Sequence, residues 1–381
     1  MLQRKCVFLC VVFVLCTVLI PLAGTAESVN VSAASAVLYE PQSGRVLFEK
    51  NAHEVRPMAS TTKLMTALIG AEYFSPEQMV VVSQEAVRTE GSSLGLLAGD
   101  VLSANDLITG MLLASGNDAA NAVALAVAPT TEAFAERMNS RAEEIGMSRS
   151  CFVTPSGLDA DGHASTAYDL ALLGAAVLQN PLLKQICAQK TAQVKVANPA
   201  RTIYVKNHNR LLSLYADCVG LKTGFTKKSG RCLVSAAERN GVTLIAVTLQ
   251  APNDWNDHIS LFEYGFGVVE RVAFPKVLLP RLLVSGGKTE SVSLAIKCPE
   301  DVVVPKGETL SIRAVVELPR FVLAPLPKGA KVGNVRYLNK EKELAVVPIV
   351  TAEAIEKQEP LCFFKRFQNR VRQLLLSVCG S

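Results

Sequence analysis

From Ala36 to Asn51 apolar and polar residues alternate around Pro41-Gln42-Ser43-Gly44, the period-two pattern of two strands joined by a turn. Between Thr61 and about Asn180 the apolar spacing changes to three and four. The Ala- and Leu-rich stretches Leu107–Ala128, Glu132–Ile145 and Thr166–Leu178 predict a block of helices there. Strand character returns after Asn207. Its clearest sign is a pair of β-rich runs, Arg231–Glu238 and Val242–Leu249, separated by Asn240-Gly241, a dipeptide that suits the two left-handed positions of a tight hairpin. A helix is predicted from about Asp254 to Gly267. Strands from both ends of this segment thus enclose helices made in its middle, which predicts an α/β sandwich with a helical subdomain.

After Phe274 the chain turns to Val, Leu, Pro and Lys in short alternating runs such as Val302–Val304, Leu310–Val316 and Lys331–Leu338. These predict a small all-β domain. The charged stretch from Glu353 to Pro360 reads as a linker. Beyond it Phe364, Phe367, Val371, Leu374 and Val378 recur at spacings of three and four, among Lys365, Arg366, Arg370 and Arg372. Such a segment predicts a basic amphipathic helix lying on an anionic membrane surface.

The chain has 381 residues, 49% of them hydrophobic and 19% charged, enough to bury a large core and unlike a disordered or repeat protein. A net charge of +5 without a Lys/Arg block in the body gives no sign of a nucleic-acid partner. At the N-terminus Arg4 and Lys5 precede an uncharged apolar run from Cys6 to Ala23, then Gly24-Thr25-Ala26. This reads as a secretory signal peptide cut after Ala26. An uncleaved anchor is the alternative, since the run approaches the roughly 20 residues of a membrane span; either places the body outside the cytoplasm. The expected division is therefore 1–26 signal peptide, 27–274 main domain, 275–352 small β-rich domain, and 353–381 linker and anchoring helix.

Of ten cysteines, Cys6, Cys10 and Cys16 would leave with the signal. Cys151, Cys187, Cys218, Cys232, Cys298, Cys362 and Cys379 would remain, and most read as small buried hydrophobes rather than a disulfide framework. Neither they nor His53, His163, His208 and His258 show metal-ligand spacing. No H-E-x-x-H helix occurs, and no metal or other cofactor is expected.

Candidate chemistry sits in three short segments. Ser60 and Lys63, in Ala59-Ser60-Thr61-Thr62-Lys63, stand three apart where strand gives way to helix, hence on one helical face. A lysine whose pKa is lowered by burial and a neighbouring cation can take a serine's proton. A helix start also favours an oxyanion beside it. Taken alone, Ser60 could simply cap a helix, Ser115-Gly116-Asn117 could be a turn, and Lys222-Thr223-Gly224 could be an exposed strand edge.

Together, in the order S-x-x-K, S-x-N, K-T-G, they resemble the penicillin-recognising serine enzymes. Within these the chain is most similar to the D-alanyl-D-alanine carboxypeptidases. The likeness extends through Met58–Leu68, Leu112–Ala122, Phe152–Leu158, His163–Ala171, the segment Ala324–Gly329 and the C-terminal tail. The resemblance implies that Ser60 is the acyl-ester nucleophile, Lys63 its base, and Ser115 the proton donor to the leaving amine. It implies that Asn117 holds the substrate amide and that Lys222 and Thr223 meet the terminal carboxylate. Gly224 would leave room for substrate along the strand, and the N–H groups of Ser60 and Phe225 would form the oxyanion hole. The implied partners are peptidoglycan stem peptides and β-lactam antibiotics. Where some relatives carry an arginine, in an Asn-x-Asn segment, this chain has His208, with Arg210 two residues on; whether either meets substrate stays open, and a surface histidine is the plain reading. The competing functions are a β-lactamase, which needs a deacylating base such as a glutamate between S-x-N and K-T-G, and a non-catalytic penicillin sensor.

Overall fold

The structure is a computed structural model describing residues 29–296, 301–308, 312–358 and 370–371. The predicted signal peptide, and the tail apart from Arg370 and Val371, lie outside these residues.

The alternating runs form a five-stranded antiparallel sheet of β1 (Ser35–Glu40), β2 (Arg45–Lys50), β7 (Cys218–Thr226), β8 (Gly230–Arg239) and β9 (Val242–Leu249), ordered β2-β1-β9-β8-β7. Asn240 and Gly241 close the β8–β9 hairpin with φ of 50° and 76°, the conformation their identity predicts. Period-two alternation sends Val37, Val234, Ile245 and Val247 to the core on one face. Leu38, Leu233, Leu244 and Ala246 go to the core on the other. The second face is covered by helix α8 (Asp254–Val268), which approaches closely at Gly265. A Cβ there would stand 2.6 Å from Leu244 and from Leu38.

On the first face lie α1 (Lys63–Tyr73), α5 (Ala167–Gln179) and α6 (Pro181–Cys187), and α2 (Ala104–Leu113), α3 (Asn117–Val127) and α4 (Thr131–Glu144) pack around α1. Ser103, Thr130, Thr166 and Asn180 each accept a backbone N–H at the start of their helix, a stop on fraying that fixes these boundaries. The run Leu107–Ala128 is two helices, not one, because the chain turns at Ser115 with φ of 59°. Nor is the middle of the chain purely helical. Short strands β3 (Met79–Val81) and β4 (Val101–Ser103) join β5 (Thr191–Asn198) and β6 (Arg201–Lys206) in a second sheet, ordered β3-β4-β5-β6. Three-residue strands are too short to display a period, which is why the sequence pattern hides them. A single helical turn, α7 (Leu211–Leu214), leads back to β7.

The C-terminal region is separately β-rich. β10 (Val269–Ala273) pairs with β14 (Asp301–Pro305); β12 (Ser291–Val292), β11 (Leu282–Ser285) and β16 (Phe321–Leu323) form a three-stranded sheet. β13 (Leu294–Ile296), β18 (Lys342–Thr351), β17 (Lys331–Asn339) and β15 (Ile312–Glu317) form a four-stranded one. Its core is its own, built from Phe274, Val304, Val335, Tyr337, Val347 and Ile349, with the Phe274 and Tyr337 rings 4.2 Å apart. The expected architecture, a mixed α/β body with a small β-rich addition, is the observed one. Of the described cysteines, Cys187 and Cys232 are buried as expected, whereas Cys151 is exposed; all four are free thiols.

Candidate active site

Between β2 and α1 the chain makes a tight 3-10 turn over Ala59–Thr62. Ala59 enters it with φ of 48°, a left-handed conformation that disfavours any side chain. The following threonines hold it: Thr61 Oγ1 donates to the Met58 carbonyl at 2.6 Å and Thr62 Oγ1 to the Ala59 carbonyl at 2.7 Å. From Ala59 through Lys63 only Ser60 reaches solvent. Helix α1 starts immediately, so Lys63 lies one turn beyond Ser60 on the same face. Its Nζ donates to Ser60 Oγ at 2.9 Å, to Asn117 Oδ1 at 2.7 Å and to the Ser156 carbonyl at 2.6 Å. Lys63 is fully buried, and burial pushes its pKa well below the usual lysine value. The charge of Lys222 pushes the same way, and Asp118 opposes both. In the neutral form the amine keeps two hydrogens, enough for Asn117 Oδ1 and the Ser156 carbonyl, and turns its lone pair to Ser60, so the 2.9 Å contact reverses direction and the amine can receive the hydroxyl proton.

The α2–α3 turn supplies the second wall. Ser115 is buried there, although no hydrogen bond joins it to Ser60 or Lys63 among the described residues. Asn117 is fixed at both ends: its Oδ1 accepts from Lys63, and its Nδ2 donates to the Glu90 carbonyl at 2.7 Å. Next to it is a residue whose role the sequence does not reveal. The buried Asp118 carboxylate accepts from Ser93 Oγ and from the N–H groups of Leu94, Gly95, Leu96 and Ala119. Five donors on one carboxylate tie the 93–96 loop to α3 and thereby set Asn117.

Strand β7 is the third wall. Lys222 is buried and donates to the Thr223 carbonyl at 3.0 Å; burial lowers its pKa to about 8. Gly224 is where this strand meets the nucleophile turn, since a Cβ on it would stand 3.0 Å from Ser60 N and from Met58 O. Thr223 is partly buried, and Phe225 is exposed. The structure therefore brings Ser60, Lys63 and Asn117 into direct contact and lays Gly224 beside them, with Lys222 close enough to act on Lys63. Among the described residues Ser115, Thr223 and Phe225 make no hydrogen bond to Ser60 or Lys63.

His208 is exposed, as a surface histidine would be. Its backbone N–H donates to the Leu113 carbonyl at 3.3 Å, and its pKa is lowered by partial desolvation and then by the charges of Lys222 and Lys63. Its neighbours form a clamp: Asn207 Nδ2 donates to the Cys187 and Gln189 carbonyls, and Asn209 Nδ2 to the Gly220 carbonyl. The Asn-x-Asn spacing thus ties α6 to β7 two residues before Lys222. Beside His208 opens a cavity of about 710 Å³, lined also by Tyr204, Arg210, Arg231 and Trp255.

The loop after α4 closes the back of the site. His163 Nδ1 accepts from the Val153 N–H at 2.9 Å, so its other nitrogen carries the proton and donates to Thr62 Oγ1 at 2.8 Å. Gly157, with φ of 82°, packs so tightly that a Cβ would stand 2.1 Å from the Ala59 carbonyl. Burial drives the His163 pKa down to about 4 and that of the fully buried His258 to about 3. Both lie below the unfolded value of about 6.5. The unfolded chain therefore binds these protons first, and the stability present above about pH 6.5 is lost as pH falls toward 4 and 3. The melting temperature should fall as pH is lowered from 7 to 4, with a shallower slope in His163→Gln. An equal slope in the two proteins would contradict this.

A family model described as D-alanyl-D-alanine carboxypeptidase matches residues 23–253, more than half of the chain. The chain belongs to the D-alanyl-D-alanine carboxypeptidase family. A second model, the C-terminal domain of penicillin-binding protein 5, matches residues 281–357. The carboxypeptidase DacC of Escherichia coli is 33% identical over 87% of this chain and 86% of its own length. DacF of Bacillus subtilis is 29% identical over 88% of each. Among solved structures, penicillin binding protein 5 from Haemophilus influenzae aligns with a TM-score of 0.69 at 27% identity, covering 86% of this chain and 98% of its own. This carboxypeptidase is accordingly a serine-type hydrolase of the penicillin-binding kind, a cell-envelope enzyme acting on peptidoglycan.

Proposed function

We propose that Ser60 attacks the penultimate D-alanyl carbonyl of a peptidoglycan pentapeptide, forming an acyl-enzyme and releasing the terminal D-alanine. The observation that carries this reading is Lys63 Nζ at 2.9 Å from Ser60 Oγ, on an amine that is buried and faces a second buried lysine. Lys63 in its neutral form takes the Ser60 proton. The tetrahedral oxyanion then sits between the N–H groups of Ser60 and Phe225, on the turn and the strand that Gly224 allows to touch. Ser115 passes a proton to the leaving amine. Asn117 holds the substrate amide, Lys222 and Thr223 hold the terminal carboxylate, and water completes the cycle. Benzylpenicillin presents a carbonyl and a carboxylate to the same groups and acylates Ser60. The β-lactamase alternative needs a carboxylate to speed deacylation, and among the described residues none is hydrogen-bonded to Ser60 or Lys63. Incubating the purified protein with a pentapeptide ending in D-Ala-D-Ala, and measuring free D-alanine, tests the reaction. Covalent labelling by penicillin with no D-alanine release would favour the sensor reading instead.

The division of the chain at residues 26, 274 and 352 belongs to this proposal, as does its attachment to the outer face of the cytoplasmic membrane. Four cations and five apolar residues at helical spacing in 364–378, with no acid after Glu359, support a tail that lies in an anionic membrane surface. Truncation before Pro360 should release the protein from membranes and leave activity on a soluble pentapeptide close to intact. A truncated protein that still sediments with membranes, or that unfolds, would refute the tether.

A further inference from the structure

The C-terminal region carries an apolar face that the chemistry above does not use. β11 and β16 run parallel, with Leu283 opposite Phe321, Val284 opposite Val322 and Ser285 opposite Leu323. Alternation turns Leu282, Val284 and Val322 toward Val292 and Ile355 and the odd positions of the pair outward. Leu283, Phe321 and Leu323 are 60%, 55% and 65% exposed. One exposed leucine is ordinary, but three large apolar side chains on adjacent strands form a patch of the kind that marks a contact.

The path of the chain says what lies beside this face. Lys357 bridges Gly287, and the Gln358 N–H donates to the Gly286 carbonyl at 2.9 Å. Gly286 follows Ser285, the residue paired with Leu323, so Gln358, the last described residue before the basic segment of the sequence, lies at the edge of the apolar face. Arg320, next to Phe321, and Lys328, in the loop after β16, are exposed, and neither has an ion-pair partner among the described residues. These cations would repel the four of the tail were it to fold back onto the face. An anionic surface complements both sets. Three side chains also fall far short of the roughly 800 Å² per partner that a stable protein interface buries, which argues against a second copy.

We propose that the outward face of β11 and β16 rests in the interfacial layer of an anionic lipid membrane beside the tail. Leu283, Phe321 and Leu323 supply apolar contacts, and Arg320 and Lys328 meet the headgroups. The inference rests on the membrane reading of the tail. A tail alone would leave the enzyme free to pivot. A second contact next to the root of the tail forms at high effective concentration once the tail is seated, and fixes the orientation of the β-rich region against the bilayer.

The test uses the full chain with vesicles of phosphatidylglycerol and phosphatidylcholine. In a Phe321→Trp variant, lipids brominated near the headgroup should quench at least half of the fluorescence added by the substitution, while native Trp255 in the wild type is unaffected. Phe321→Ser combined with Leu323→Ser should weaken vesicle partitioning about five- to tenfold at unchanged D-alanine release from soluble pentapeptide. If the full chain sediments with vesicles but shows neither quenching nor weakened partitioning, the face is not in the membrane and the tail reading survives. If the full chain does not sediment, both fail. In vesicle-free solution, a blue shift of the Phe321→Trp emission that disappears on truncating the tail would show the tail covering the face. A dimer abolished by the double substitution would show a second copy there, and either result overturns the proposal.

Discussion

Lys63→Ala is expected to slow acylation of Ser60 by benzylpenicillin about 10³- to 10⁴-fold, the upper range of what a positioned general base contributes. Among the described residues Lys63 is the one side chain that bonds to Ser60 Oγ, and no carboxylate or imidazole is hydrogen-bonded to either of the two. The substitution also leaves Asn117 Oδ1 and the buried Ser156 carbonyl without the donor they share, so stability should fall as well. Acylation rates measured by rapid mixing with a fluorescent penicillin, on protein whose thermal unfolding shows it to be folded, separate the two effects. A folded Lys63→Ala protein acylated within tenfold of the wild-type rate would mean that another group takes the proton.

Lys222→Ala should lower kcat/KM on the pentapeptide about 10²-fold or more, through loss of a charged carboxylate contact, and should change the pH profile at both ends. Lys63 acts when deprotonated, so the acid limb follows its pKa. Removing the positive charge of Lys222 takes away one of the two causes that lower that pKa, and the acid limb moves to higher pH. Lys222 acts when protonated. With its pKa at about 8, wild-type activity should decline above pH 8, and that limb should vanish in the variant. A Lys222→Ala profile superimposable on the wild type after scaling would show that Lys222 acts neither on Lys63 nor as a titrating carboxylate ligand.

The sequence discloses most where interactions are local. Ser60 and Lys63 are three residues apart, and their contact follows from helix geometry alone. The Asn240-Gly241 hairpin and α8 are legible for the same reason. The meeting of Lys222 with Lys63 joins residues 159 apart in the chain, and only resemblance to a family could anticipate it. Asp118, Ser156 and His163 are invisible to motif reading because they act through backbone groups. Asp118 collects N–H donors, Ser156 offers a carbonyl, and His163 passes a hydrogen bond to the carbonyl of Ala59 by way of Thr62. The sheet of β3 to β6 was hidden by the brevity of two strands. His208 reads as a surface residue and is exposed; what nothing local shows is that Asn207 and Asn209 tie its segment to α6 and β7.

The central claim is that one serine carries the acyl group, and mapping the site of penicillin attachment tests it most directly. After reaction with benzylpenicillin, intact-mass and peptide mass spectrometry should find a single penicilloyl adduct, on the peptide containing Ser60, and none in Ser60→Ala. An adduct on another serine, or one that persists in Ser60→Ala, would contradict the account.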